Sequence, residues 1–154
     1  MTPEKTIDQL NALISSLIEF SLCNKQNFPS VNSRADGITE ISFKKAGKIS
    51  VALKNQPYRD IFYELDKHEA YSAQMLDGAI IQLLYRFKDD ELISHRLAFF
   101  PSPDLEDFQN EPELYEDDEI YADVLMKNIV PFPVRFDFDV DDDLFVELDR
   151  GGPQ

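Results

Sequence analysis

Four side chains of the types used by metal-free ribonucleases lie in two short segments: His95 and Arg96 in one, Arg135 and Asp137 in the other. An imidazole can act as a general base, guanidinium groups can stabilise charge on a phosphate, and a carboxylate can orient or accept a proton. Both segments are strand-like and could be neighbours in one sheet. One hypothesis is therefore a small nuclease-like effector of the ribonuclease toxin type. The preferred interpretation is a structural or surface role for His95 and an ion pair for Arg135.

A second candidate chemistry is calcium binding at the C-terminal aspartates. Asp137, Asp139 and Asp141 have the spacing of the first ligands of an EF-hand loop. However, the sixth position is Asp142 instead of the glycine that permits the sharp turn, and the twelfth is Leu148 instead of glutamate. The flanking segments also have strand-like rather than helical patterns. A solvated hairpin turn is the preferred interpretation, and a loosely bound divalent ion at residues 141–143 is the alternative.

Zinc and phosphate-binding motifs are missing from the sequence. His68, with Glu64 and Asp66 nearby, lacks a second histidine or cysteine at usable spacing. Only five glycines are present, which disfavours a glycine-rich phosphate loop. Cys23 is the single cysteine, and its apolar neighbours predict a small buried side chain rather than a nucleophile. The sequence therefore predicts no metal and no cofactor, and it favours a non-enzymatic protein.

The strongest signal is the acidic stretch, which we define as residues 104–149. It holds 17 of the 30 acidic residues and two basic ones, and so carries the whole net charge of −15. Such a charge disfavours unaided binding to nucleic acid and to anionic membranes. It favours a basic partner protein or imitation of a polyanion, and solubility is the alternative interpretation. The candidate partner-binding residues are its clustered acids: Asp104, Glu106, Asp107, Glu116, Asp117, Asp118, Glu119, Asp141, Asp142 and Asp143.

Periodicity predicts the elements that would position these groups. Thr2 and Pro3 mark the start of an amphipathic helix over residues 3–22, and a second helix follows Pro57 and ends near residues 68–71. Residues 38–43 are strand-like, residues 24–37 have the composition of a loop, and 79–87 with 92–100 form a hairpin whose first strand is central. In the acidic stretch, the pattern predicts a helix near 119–127 and strands at 132–139 and 144–148. Alternation in the first of these strands predicts a buried face that contains Phe132, Val134, Phe136 and Phe138.

These elements predict an α+β fold, with an antiparallel sheet of four or five strands and helices packed on one face. A single domain is expected over residues 1–149, followed by a disordered tail at 150–154. The first residues lack the pattern of a secretory signal, and no apolar run approaches the roughly 20 residues of a membrane span. We therefore expect a cytoplasmic protein.

Several segments resemble an uncharacterised bacterial family, the domain of unknown function 2290. They are residues 77–82, 95–103, 108–110, 118–123 and 129–137. The resemblance implies a prokaryotic, cytoplasmic protein from mobile or accessory gene neighbourhoods. Relatives continue into a His-Pro-x-Ser-His-like segment and a further helix, where this chain has residues 149–154. A shortened or divergent C-terminus is therefore implied, without counterparts of those histidines.

The leading hypothesis is a non-enzymatic acidic interaction protein of a bacterial defence, toxin–antitoxin or mobile-element system. It would bind a basic, nucleic-acid-handling partner protein through residues 104–149. The nuclease-like effector and a scaffold subunit of a larger complex remain alternatives, and the sequence does not predict an oligomeric state.

Overall fold

A computed structural model describes residues 1–43, 56–104 and 133–140 of the chain. Within these residues the chain forms two helices, α1 (Pro3–Glu19) and α2 (Tyr58–Lys67). Seven strands form one sheet: β1 (Cys23–Gln26), β2 (Ser30–Ser33), β3 (Ile38–Ser42), β4 (Ala73–Met75), β5 (Ile80–Lys88), β6 (Glu91–Phe100) and β7 (Val134–Asp139). All the strand pairs are antiparallel, which confirms the α+β prediction.

Strand β5 is the centre of the sheet. One edge pairs with β4 through its first residues and with β3 through its last, and β1 and β2 extend these two neighbours outward. The other edge pairs with β6, which in turn pairs with β7. The prediction of a central strand is confirmed.

The number of strands was predicted wrongly, as four or five instead of seven. The residues assigned to a loop at 24–37 include most of β1 and all of β2, and β4 has only three residues. Strands β1 (CNKQ) and β2 (SVNS) are short and polar, so they lack the alternating apolar pattern that identifies a strand. They form because their backbones pair with β4 and β3. Local composition does not predict which strand pairs with which.

The ends of α1 follow from local chemistry. The Thr2 side chain caps the helix by accepting a hydrogen bond from the backbone N–H of Lys5 at 3.3 Å, and Pro3 begins the first turn. The helix ends at Glu19 instead of residue 22, because Ser21 adopts a left-handed conformation (φ 53°) and turns the chain into β1. Cys23 is only half-buried, contrary to the prediction, and this burial raises the pKa of its thiol.

Helix α2 and the β5–β6 hairpin closely match the prediction. The helix begins after Pro57 and ends at Lys67. In the hairpin, Lys88 pairs with Glu91, so the connection has two residues instead of the expected four. Asp89 takes the left-handed conformation (φ 54°) that this tight connection uses, and aspartate tolerates it better than most residues.

The two helices pack on opposite sides of the central strand. Leu10 of α1 belongs to a cluster with Leu83, whereas Phe62 of α2 belongs to a cluster with Leu84. Leu83 and Leu84 are consecutive in β5, and consecutive strand residues point to opposite faces of a sheet. The prediction of helices on one face is therefore not confirmed. In the described part of the chain, neither helix is long and apolar enough to cross a membrane.

Candidate functional site

Strands β6 and β7 bring three of the four proposed nuclease residues together. Arg96 lies opposite Asp137 in the strand register. Its Nε atom donates a hydrogen bond to Asp137 Oδ1 at 3.1 Å, and the Nε of Arg135 donates to Oδ2 at 2.7 Å. We call Arg96, Arg135 and Asp137 the charged cluster. One carboxylate is thus bound by two guanidinium groups, which is the expected ion pair for Arg135 with a second arginine added.

His95 lies on the other side of the sheet from the charged cluster. It precedes Arg96 in β6, and adjacent strand residues face opposite ways. Its ring stacks on Phe138 at a centroid distance of 5.6 Å and lies 6.2 Å from the ring of Tyr85. The geometry supports the structural role for His95, because an imidazole on the far side cannot act on a phosphate held by the two arginines. Strand alternation in the sequence already contained this signal.

The packing of His95 makes a prediction about stability. Its Nδ1 atom is buried and has no hydrogen-bond partner within the described part of the chain, which is an unfavourable state for a polar atom. We expect His95→Phe to leave the free energy of unfolding unchanged or to raise it by up to about 1 kcal/mol. Urea unfolding followed by circular dichroism measures this. A loss of more than about 1 kcal/mol would show that the imidazole makes a contact that phenylalanine cannot replace.

The predicted buried face of β7 is exposed where the structure describes it. Val134, Phe136 and Phe138 have 42%, 63% and 40% of their surface exposed, so the prediction of their burial was wrong. Phe132 lies outside the described residues. The period-two pattern is correct, but β7 lies beyond the cluster that α1 forms with β5 and β6, which includes none of these residues. Alternation reveals two faces without revealing whether a second layer covers one of them.

Two further exposed side chains extend this surface. Phe99 of β6 lies opposite Val134, and Val140 continues β7, with its backbone N–H donating to the carbonyl of Ile93 at 3.0 Å. Residues opposite each other in an antiparallel pair share a face, as do alternate residues of one strand. We define these five residues as the apolar face: Phe99, Val134, Phe136, Phe138 and Val140.

The first residue of the acidic stretch is attached to α2. Asp104 accepts hydrogen bonds from the Tyr63 hydroxyl at 2.7 Å and from Nη2 of Arg59 at 2.6 Å. The hydrogen bond to Asp104 and then burial raise the pKa of Tyr63. Of the ten proposed partner-binding acids, Asp104 alone lies in the described residues. The other nine lie outside them: Glu106, Asp107, Glu116, Asp117, Asp118, Glu119, Asp141, Asp142 and Asp143.

The chain leaves and rejoins the sheet at one end. Asp104 follows β6 by four residues, and Pro133 immediately precedes β7. Because Phe99 of β6 pairs with Val134 of β7, these two points lie at the same end of the strand pair. Residues 105–132, with nine acids and one base, therefore connect two fixed positions on the folded body.

The possible calcium ligands are only partly within the described chain. Asp137 and Asp139 lie in β7, where the sequence predicted a strand. Asp141 and Asp142 lie outside the described residues. Among residues 1–43, 56–104 and 133–140, no group of three or more histidines, cysteines or acids is placed to hold a metal ion.

Residues 22–150 match the model of a family described as "Uncharacterized conserved protein (DUF2290)". The chain belongs to this family. The DUF2290 match includes all seven strands, α2, the charged cluster and the apolar face, whereas α1 precedes it. The resemblance inferred from the sequence is thereby confirmed. No curated protein and no solved structure gives a significant match.

Proposed function

We propose that this DUF2290 protein is a non-enzymatic, cytoplasmic interaction protein of a bacterial defence, toxin–antitoxin or mobile-element system. It binds a basic, nucleic-acid-handling protein through the acidic stretch, whose carboxylates occupy the partner's phosphate-binding groove. The observation that carries the proposal is the concentration of the entire net charge of −15 in residues 104–149. The attachment of this stretch to the folded body at Asp104 and through β7 supports it.

Electrostatics assigns different roles to the acids of this stretch. Asp137 forms ion pairs with Arg96 and Arg135, so its charge is locally compensated. We therefore assign it a structural role between β6 and β7. Residues 105–132 contain nine acids and one base, Lys127. An excess of this size steers a basic protein toward the surface and accelerates encounter, with a range of about 8 Å at physiological salt.

The nuclease-like alternative has no comparable support. Its general base, His95, points away from the two arginines that would hold the phosphate, and its ring packs between Tyr85 and Phe138. The charged cluster without His95 contains no base placed to activate a nucleophile, since its one carboxylate is occupied by both arginines.

The scaffold alternative is favoured by one observation, the apolar face. Exposed apolar surface is typical of a subunit that is buried in a larger complex. Light scattering on the purified protein tests this alternative. A stable, soluble monomer without a partner would count against an obligate scaffold subunit and would leave the interaction protein in place.

We expect binding of the partner to weaken when residues 116–119 are neutralised. The variant carries four isosteric changes: Glu116→Gln, Asp117→Asn, Asp118→Asn and Glu119→Gln. Affinity for the partner isolated from the native host should fall by about 10-fold or more, because the attraction depends on charge, and the wild-type affinity should decrease as salt is raised. Titration of the purified partner at several salt concentrations measures both effects.

A matched control removes the same charge elsewhere. Its four exposed acids lie outside the acidic stretch and are replaced as Glu4→Gln, Asp8→Asn, Glu19→Gln and Asp36→Asn. Its affinity should stay within about threefold of the wild-type value, because α1 contacts β1 and β3, Asp36 lies between β2 and β3, and both β5 and β6 separate β3 from β7. A complex that survives high salt and tolerates the 116–119 variant would contradict the electrostatic mechanism.

A further inference from the structure

The apolar face has the features of a protein docking surface. Its five side chains come from two adjacent strands, about 5 Å apart, and β7 is about 20 Å long. Phe136 lies near the middle, opposite Leu97, and is the most exposed of the five. Contiguous exposed apolar surface of this kind is uncommon on monomeric proteins and marks sites of interaction.

The net charge of the chain restricts what can bind there. Strand β7 lies within the acidic stretch, after a segment with nine acids and one base and before residues 141–149, which contain five acids and no base. A second copy of this chain would bring another net charge of −15, and an anionic membrane would be repelled in the same way. An apolar segment flanked by lysine or arginine can contact the apolar face and is also attracted by the negative charge of the chain.

We propose that the apolar face binds an amphipathic helix of the basic partner. Apolar side chains of that helix pack on Phe136 and its neighbours, and its lysine and arginine side chains complement the net charge of −15. The inference rests on the proposed function and adds the chemistry of docking. The acids accelerate encounter, whereas the buried aromatic side chains slow dissociation, which is the usual division of roles at an interface.

A defined peptide probe tests this surface in the absence of the partner. We use a lysine–leucine peptide of about 18 residues, with leucines on one helical face, and a lysine–serine peptide of equal charge and length. The wild-type protein should bind the lysine–leucine peptide at least about 10-fold more tightly than the lysine–serine peptide, because only the former has apolar anchors. Fluorescence anisotropy measures both affinities.

Paired phenylalanine variants locate the binding surface. Phe136→Ser should weaken binding of the lysine–leucine peptide by about 10-fold or more, the size expected for an anchor residue. Phe28→Ser removes a phenylalanine of similar exposure (50%) between β1 and β2 and should leave binding unchanged. Amide chemical-shift changes on the wild-type protein, centred on Leu97 and Phe136, provide a readout that does not depend on a variant.

The other outcomes separate this inference from the proposed function. Equal binding of both peptides, abolished by neutralising residues 116–119, would overturn the apolar docking site and support the electrostatic function. Binding of neither peptide would overturn the docking site, while the host-partner titration still decides the function.

Two further results would show that something else covers the apolar face. If the wild-type protein is a dimer and Phe136→Ser makes it dissociate, the apolar face binds a second copy of the chain. If Phe136→Ser lowers folding stability much more than Phe28→Ser does, another part of the same chain packs on the apolar face. Either result overturns the proposal.

Discussion

Replacement of Phe87 by alanine is expected to lower the free energy of unfolding by about 3–5 kcal/mol, the usual cost of a large cavity in a well-packed core. Phe87 is completely buried in the central strand β5. It packs with Leu10 of α1 and Ile41 of β3, so it joins the first helix to the sheet. A domain of this size has a total stability of about 5–15 kcal/mol, so this loss is a large fraction of it. Urea denaturation at neutral pH measures the change.

The control for this experiment is Phe28→Ala. The Phe28 side chain is half exposed, so its truncation should change the free energy of unfolding by no more than about 1 kcal/mol. The contrast tests the packing of α1 on the sheet. If the two variants were equally stable, Phe87 would not be part of a close-packed core and the docking of α1 through Leu10 would be wrong.

Alkaline pH is expected to destabilise the protein through its buried tyrosines. Burial raises the pKa of Tyr71 to about 12, with further contributions from Glu69 and Asp66, and burial also raises the pKa values of Tyr58 and Tyr85. The unfolded chain loses its phenolic protons near pH 10, before the folded chain does. The stability that these groups contribute is therefore complete below pH 10 and is lost as pH rises toward the folded pKa values. The raised pKa of Tyr71 alone should lower the free energy of unfolding by about 1 kcal/mol at pH 11, relative to neutral pH.

Tyr71→Phe isolates this effect. The Tyr71 hydroxyl is buried and has no hydrogen-bond partner among the residues that the structure describes. Its removal should keep or raise stability at neutral pH, by up to about 1 kcal/mol, and should reduce the loss between pH 10 and 12. Urea denaturation at neutral pH and at pH 11 gives both values.

Tyr63→Phe is the contrasting variant. It removes the hydroxyl group that donates a hydrogen bond to the Asp104 carboxylate, so stability at neutral pH should fall instead of rising. The same loss of stability at high pH in Tyr71→Phe as in the wild-type protein would contradict the role of Tyr71. A gain at neutral pH from Tyr63→Phe would contradict the attachment of Asp104 to α2.

Two phenylalanines in strands of the same sheet thus have opposite expected roles. Phe87 is buried between the sheet and α1, and its loss should damage the fold. Phe136 is 63% exposed on β7, and its replacement should damage binding while the fold is retained. Stability and binding measured on both variants separate the core of the protein from its proposed interaction surface.

The sequence alone determined the features that depend on near neighbours in the chain. The Thr2 cap and Pro3 begin α1, and the two apolar runs around the Asp89–Asp90 connection form the β5–β6 hairpin. The alternation in β7 and the family membership were also predictable from local patterns. These predictions succeed because capping, turn formation and residue periodicity are interactions within a few residues.

The tertiary structure decided how those elements meet. Polar strands β1 and β2 exist because β4 and β3 pair with them, and the clusters of Leu83 and Leu84 place the two helices on opposite faces. Alternation in β7 separated Phe136 from Asp137, but it could not reveal that the aspartate would be bound by two arginines while the phenylalanine stayed exposed. Burial depends on whether another layer lies above a residue, and this is fixed by contacts between residues far apart in the chain.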